Sequence, residues 1–178
     1  MRYSSRITVC VSVCLATLGW AGDAAGCTSI TVGKKASTDG SVMTSHTCDS
    51  HRTRSSIEVV PAAEHAPDTE ITLTKRTDDD TGPMERYGRE VTGKIPQVEQ
   101  THGYLNPAYA SMNEHQVAIS ESTFGGREEL DSKVVIIDCE TQTRLMLERA
   151  TTARQAIRVA GELLEAYGWV DEGEALVS

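Results

Sequence analysis

Polar and apolar positions alternate through residues 27–32 (Cys-Thr-Ser-Ile-Thr-Val), which sets Thr28, Ile30 and Val32 on one face of a strand. Residues 33–40 follow as turn chemistry that ends in Asp39-Gly40, and residues 41–47 resume strand character, so the pair reads as a β-hairpin with Cys27 at its free end. Residues 56–60 and 70–75 are further short strands, separated by a polar stretch at 61–68. Residues 76–106 are rich in charge, Gly and Pro and are expected to be a long irregular region, with Asp78-Asp79-Asp80 as a solvated run. Strand character returns at 116–122, and Thr123-Phe-Gly-Gly126 reads as a turn. The β-branched run at 134–137 fits either a strand or the start of a buried helix. Thr152 and Gln155 have capping-box spacing, and Ala156, Ile157, Ala160, Leu163, Leu164 and Tyr167 recur at helical spacing. Gly168 stands where a terminating glycine belongs, so a helix is expected over 153–167 with one face laid on a sheet. No internal repeat is present.

The first 26 residues follow a different pattern. Arg2 and Arg6 precede a mostly apolar run over residues 7–18, too short to cross a bilayer core of ~30 Å as a helix. Small residues then lead to Ala24-Ala25-Gly26. A basic start, a short apolar stretch and a small-residue site make an export signal, cut before Cys27. Retention as an uncut N-terminal anchor is the alternative.

Composition narrows the function. The 178 residues carry 17 Lys+Arg against 26 Asp+Glu, a formal charge of −9, with 39% apolar and 24% charged residues. These values are ordinary for a globular domain and exclude an acidic disordered tail, a collagen-like repeat and a multi-span membrane protein. The acidic balance, without a basic run, also argues against a general nucleic-acid binder. Cleavage before Cys27 would remove Arg2, Arg6 and Asp23 and bring the net charge to −10. It would also remove Cys10 and Cys14, leaving Cys27, Cys48 and Cys139, an odd number that cannot all pair.

A cysteine at a new N-terminus brings two reactive groups together. The thiol is a nucleophile, and the α-amine, with an unperturbed pKa of about 7.7–8.0, is a base suited to neutral pH. One residue then supplies both partners of acyl transfer. Two other readings of Cys27 stay open: a lipid-modified cysteine, although Ala24 stands where that processing favours Leu, Val or Ile, and a purely structural residue. His46-x-Cys48-x-x-His51 with Asp49 is a second cluster, in which His46 and Cys48 would share a strand face. A zinc site is conceivable there, but no second pair completes a tetrahedral set. Asp49 can instead orient the α-amine by a hydrogen bond. Gly33-Lys34-Lys35 lacks the upstream glycine of a phosphate loop, His65, His102 and His115 are isolated positions expected at the surface or in packing, and no Gly-x-Ser-x-Gly occurs.

Several ordered blocks carry a resemblance. Cys27-Thr-Ser-Ile-Thr-Val-Gly-Lys-Lys-Ala-Ser-Thr-Asp-Gly-Ser41 resembles the mature start of the cysteine dipeptidases of the N-terminal nucleophile (Ntn) hydrolase superfamily, relatives of the secernins. Ser45-His-Thr-Cys-Asp-Ser50, the stretch from Tyr104-Leu-Asn-Pro107 to Met112-Asn-Glu-His-Gln116, and Glu121-Ser-Thr-Phe-Gly-Gly-Arg127 resemble the same family. Leu147-Glu-Arg-Ala-Thr-Thr-Ala-Arg154 and Tyr167-Gly-Trp169 continue it across residues 27–175. The resemblance implies an α+β fold, the αββα Ntn sandwich, and hydrolysis of dipeptides with no metal or organic cofactor. It assigns the nucleophile to Cys27, an acidic partner to Asp49 and an oxyanion-side polar group to Thr123. His46 stands where many relatives carry an arginine that pairs with substrate or orients the thiol. Chains of this family run considerably longer, so this one is expected to hold the N-terminal part of the domain, over residues 27–178.

The sequence reading is therefore a secreted or periplasmic cysteine dipeptidase with residues 1–26 as its signal. Dipeptides are its expected partners, with no nucleic acid and, after processing, no membrane. The rivals are a lipid-anchored or degenerate surface protein without catalysis and an Ntn amidase acting on acyl-amides.

Overall fold

The computed structural model describes residues 27–47, 57–76, 89–107, 109–123, 136–169 and 174–177. The expected signal at 1–26, Asp78-Asp79-Asp80, and the Cys48, Asp49 and His51 positions lie outside them. The fold is α+β, built of small antiparallel sheets and two helices. The expected hairpin is present: β1 (Ser29–Val32) pairs with β2 (Met43–His46) in a register that sets Ser29 opposite His46 and Val32 opposite Met43. Gly40 turns the chain at φ 78°, a left-handed conformation that glycine adopts without steric cost.

The region expected to be irregular over 76–106 is largely strand where it is described. β5 (Glu70–Arg76) pairs with β6 (Arg89–Pro96), with a register shift between Leu73 and Thr74. β4 (Ala63–Glu64), inside the polar separator, pairs with β7 (Gln100–Thr101). β3 (Glu58–Val60), β8 (Tyr104–Asn106) and β9 (Met112–Asn113) form a three-stranded sheet in the order β3-β8-β9. Gly93 and Pro96 dilute the strand signal of β6, yet glycine has a packing reason. A Cβ at Gly93 would stand 3.0 Å from Ile136 Cδ1 and Cγ2, so the missing side chain lets the segment entering the first helix lie against the strand.

Gln116, at φ 62°, closes a turn whose N–H donates to Asn113 O, so the strand expected from 116 begins later, at β10 (Ser120–Thr123). Thr123 is the last residue of β10, paired with Glu174 of β11 (Glu174–Val177), and the rest of the turn expected at 123–126 lies outside the described residues. The 134–137 run resolves, in its described part, into neither alternative alone. Ile137 bridges Trp169 in parallel, and Asp138 then caps a helix.

The run at 134–137 allows the start of a buried helix, but the extent of α1 (Cys139–Arg149) is not visible in the pattern. Eight of its eleven residues are buried, so no polar face repeats to reveal it. Its Asp138 carboxylate accepts the Thr141 N–H at 2.8 Å. α2 (Ala153–Tyr167) spans the expected residues, with the Gln155 N–H donating to Thr152 Oγ1 at 3.2 Å and the Gly168 N–H to Leu164 O at 2.9 Å. It packs on α1 and, through Leu163, on the cluster that includes Leu73 and Ile95 of β5 and β6, while Ile157 of the expected apolar stripe is 59% exposed.

Two apolar clusters hold these elements together. Leu73, Ile95, Ile137, Leu145 and Leu163 join β5 and β6 to both helices, and Tyr104, Val117, Ile119, Met146, Leu147 and Ala156 join β8 and the approach to β10 to the same helices. No helix among the described residues is long and apolar enough to cross a membrane.

Candidate active site

The hairpin turn fixes where Cys27 ends up. Ser37 Oγ donates to Ser41 O at 2.7 Å, and the Ser41 N–H donates to Asp39 Oδ1 at 3.0 Å. Hydrogen bonds from the Ser41 side chain and backbone hold the Asp39 carboxyl below the usual carboxylate range. At the open end, the Thr47 N–H donates to Thr28 O and the Thr28 N–H to Thr47 Oγ1, both at 2.9 Å. Cys27 sits just beyond this clasp, half-buried.

Side chains alternate along β1, so Cys27 and Ser29 share the face opposite Thr28 and Ile30. Ile30 is 60% exposed, which turns the apolar face expected at 28–32 outward and the hydroxyl-bearing face toward β10. Ser29 Oγ donates to Ser120 Oγ at 3.1 Å, and Ser122 Oγ donates to Cys27 O at 3.0 Å. The hairpin is thus tied to β10 at two points, one of them on the cysteine's own carbonyl.

These ties bring three chemically active side chains together. Cys27 Sγ, a ring nitrogen of His46 and a carboxylate oxygen of Glu121 all lie within 4.8 Å of one another. His46 Nε2 is 3.3 Å from Glu121 Oε1, with 22% and 3% of the two side chains exposed. On its other side the His46 ring meets Ser29 Oγ through Nδ1 at 3.2 Å. A serine therefore holds one ring nitrogen, and the other faces a buried carboxylate beside the thiol.

Beside the cluster lies a cleft of about 310 Å³, lined by Leu105, Pro107, Tyr109, Met112 and Ile119 and also by His46 and Glu121. Its size is at the small end for ligand sites, and its mostly apolar wall with a few polar groups fits a small molecule carrying an apolar side chain.

Of the residues singled out in the sequence, the structure brings Cys27 and His46 together and places Thr123 by its backbone on the strand that carries Glu121. Asp49, and with it the His46-Cys48-His51 cluster, falls outside the described residues. His102 and His115 are not isolated: their rings meet edge to face at 4.3 Å, with Glu114 Oε1 3.7 Å from His102 Nδ1. His65 is packed against Thr101 Oγ1 at 3.1 Å. Sequence reasoning missed Glu121, Ser29, Ser120 and Ser122 as site residues. The available signal was Glu121 itself, an acidic residue closing the run Val117-Ala-Ile-Ser-Glu121, where strand patterning predicts burial.

The model of peptidase family C69 matches residues 26–177, nearly the whole chain. No solved structure matches it. With the ordered blocks from Cys27 to Trp169 inside that match, the chain belongs to peptidase family C69, the cysteine dipeptidase family of the Ntn hydrolase superfamily, and is a peptidase acting on peptide substrates.

Proposed function

We propose that this peptidase is a cysteine dipeptidase whose nucleophile is the Cys27 thiol and whose base is the α-amine freed when residues 1–26 are removed. The observation that carries this reading is the juxtaposition of Cys27 with His46 and Glu121, two residues that line an apolar cleft. The family match begins at residue 26, one position before Cys27, which supports a domain that starts there and a leader that is cut away. An αββα Ntn sandwich over residues 27–178 goes with this reading, and the antiparallel sheets packed with two helices are consistent with part of it.

In the cycle we assign, the α-amine takes the thiol proton as Cys27 Sγ attacks the dipeptide carbonyl. The tetrahedral intermediate collapses as the amine returns the proton to the leaving nitrogen. Water then attacks the thioester, freeing the acid and restoring the thiol. Backbone N–H groups and Thr123, at the end of β10, are assigned to the oxyanion side. Asp49 is assigned to orient the α-amine, and His46, fixed by Ser29 and Glu121, to hydrogen-bond the substrate where many relatives use arginine. Export to the periplasm or outside the cell completes the proposal.

The test is dipeptide hydrolysis by the exported protein, with its N-terminus sequenced and its intact mass measured. A Cys27 start, turnover, and loss of turnover in Cys27→Ala are expected. Full activity in a correctly processed Cys27→Ala chain would sink the reading, as would a lipidated or uncut terminus in the active protein.

A further inference from the structure

We propose that Cys27, His46 and Glu121 form a site for zinc or a similar divalent transition metal, and that its occupation silences the Cys27 thiol. The three side chains offer one thiolate sulfur, one imidazole nitrogen and one carboxylate oxygen, all within 4.8 Å of one another. Thiolate, imidazole and carboxylate together are donors for zinc and not for calcium or magnesium, which take oxygen.

The His46–Glu121 spacing fits. Two nitrogen or oxygen donors held about 2.0–2.2 Å from a tetrahedral zinc stand roughly 3.3–3.6 Å apart, and His46 Nε2 is 3.3 Å from Glu121 Oε1.

Burial points the same way. The Glu121 side chain is 3% exposed, and neither its Oε2 nor His46 Nε2 makes a hydrogen bond among the described residues. Buried polar atoms are normally satisfied, and a metal ion held between the imidazole and the carboxylate would satisfy Nε2. His46 Nδ1 is already engaged by Ser29 Oγ at 3.2 Å, which directs the remaining nitrogen into the cluster, as the outer contacts of metal-binding histidines do. Charge closes the argument. A thiolate, a carboxylate and a neutral imidazole around a dication sum to zero, the condition under which a buried cluster of charges is tolerable.

On binding, the metal displaces the thiol proton to solvent and takes up a sulfur lone pair as a coordinate bond. That electron pair is then withheld from any carbonyl. The fourth position of a tetrahedron is left for water. Metal binding rests on the geometry alone; inhibition of turnover as its consequence rests on the reading of Cys27 as nucleophile.

The experiment uses the full exported protein, stripped with a chelator and titrated with cobalt(II) as a spectroscopic probe and with zinc. One equivalent of cobalt should give a near-ultraviolet sulfur-to-metal charge-transfer band that Cys27→Ala lacks. Zinc should slow iodoacetamide alkylation of Cys27 at least tenfold, reversibly with chelator, as read by peptide mass mapping that separates Cys27 from Cys48 and Cys139. Glu121→Gln and His46→Gln should each weaken zinc affinity at least tenfold. Ser29→Ala, which keeps all three donors, should weaken it about tenfold. Circular dichroism checks that each variant folds. No charge-transfer band, a band of equal affinity in both the His46 and Glu121 variants, or alkylation indifferent to zinc would overturn the proposal. Dipeptide turnover by the metal-free protein is scored separately, since its absence refutes the dipeptidase reading and leaves the metal site standing.

Discussion

His46 Nε2 stands 3.3 Å from the carboxylate of Glu121, a residue whose side chain is almost wholly enclosed. Its other ring nitrogen is held by Ser29, which orients the imidazole toward the carboxylate. Glu121→Gln keeps the shape and removes the charge. It should lower kcat/KM for dipeptides at least tenfold, a loss of about 1.4 kcal/mol of transition-state stabilisation. The check is steady-state kinetics beside thermal melting. A carboxylate that merely supported the fold would lower the melting temperature and leave kcat of the folded fraction unchanged.

Asn113 ties the turn before β10 to the end of α1. Its Nδ2 donates to Leu147 O at 2.9 Å and Ala150 O at 2.6 Å, while Oδ1 accepts the N–H groups of His115 and Val117, each at 3.1 Å. All four hydrogen-bonding positions of the amide are used, and the residue is 5% exposed. Asn113→Ala leaves two carbonyls and two N–H groups without partners. It should cost about 3 kcal/mol in a denaturant titration, since each buried orphan costs roughly 1–3 kcal/mol and relaxation recovers part of the sum. A loss below about 1 kcal/mol would show that the turn stands without the amide.

The elements legible in the sequence are those whose signals are local. Thr152, Gln155 and Gly168 bound α2 at the expected residues, and Asp39-Gly40 closes the hairpin, because caps and turns depend on neighbours a few positions away. β6 was hidden because its Gly93 answers to Ile136, more than forty positions later in the chain. α1 was hidden because burial on nearly every side erases periodicity. The candidate site divides the same way. Cys27 follows from the cut expected before it, and His46 from the hairpin register and the family block. Glu121 meets them only because Ser29 and Ser122 dock β1 on β10, a contact between segments some ninety residues apart that no local pattern encodes.

Gln142 sits fully enclosed in α1, with neither Nε2 nor Oε1 hydrogen-bonded among the described residues. Removing a buried polar group that lacks partners recovers its desolvation cost, provided the volume is kept. Gln142→Met, similar in length and flexible enough to refill the space, should raise stability by about 1 kcal/mol. The midpoint of urea unfolding at unchanged slope is the measurement. A drop in midpoint would mean that the amide is satisfied by groups beyond the described residues.

Tyr104, the buried first residue of β8, has its phenol pushed up to about 12, first by burial and then by the charge of Glu148. An unfolded tyrosine ionises near pH 10. The folded state therefore holds the phenol proton more tightly than the unfolded state, and the stability this adds is complete below about pH 10. It is lost progressively as pH rises from there through 12. Tyr104→Phe keeps the ring and cannot ionise, so its stability should fall less steeply over that interval than that of the parent. Chemical denaturation at a series of alkaline pH values gives both slopes, and the other tyrosines cancel in the comparison. Parallel slopes would show that Tyr104 ionises alike in the folded and unfolded chains, and that the enclosure around it opens before its proton leaves.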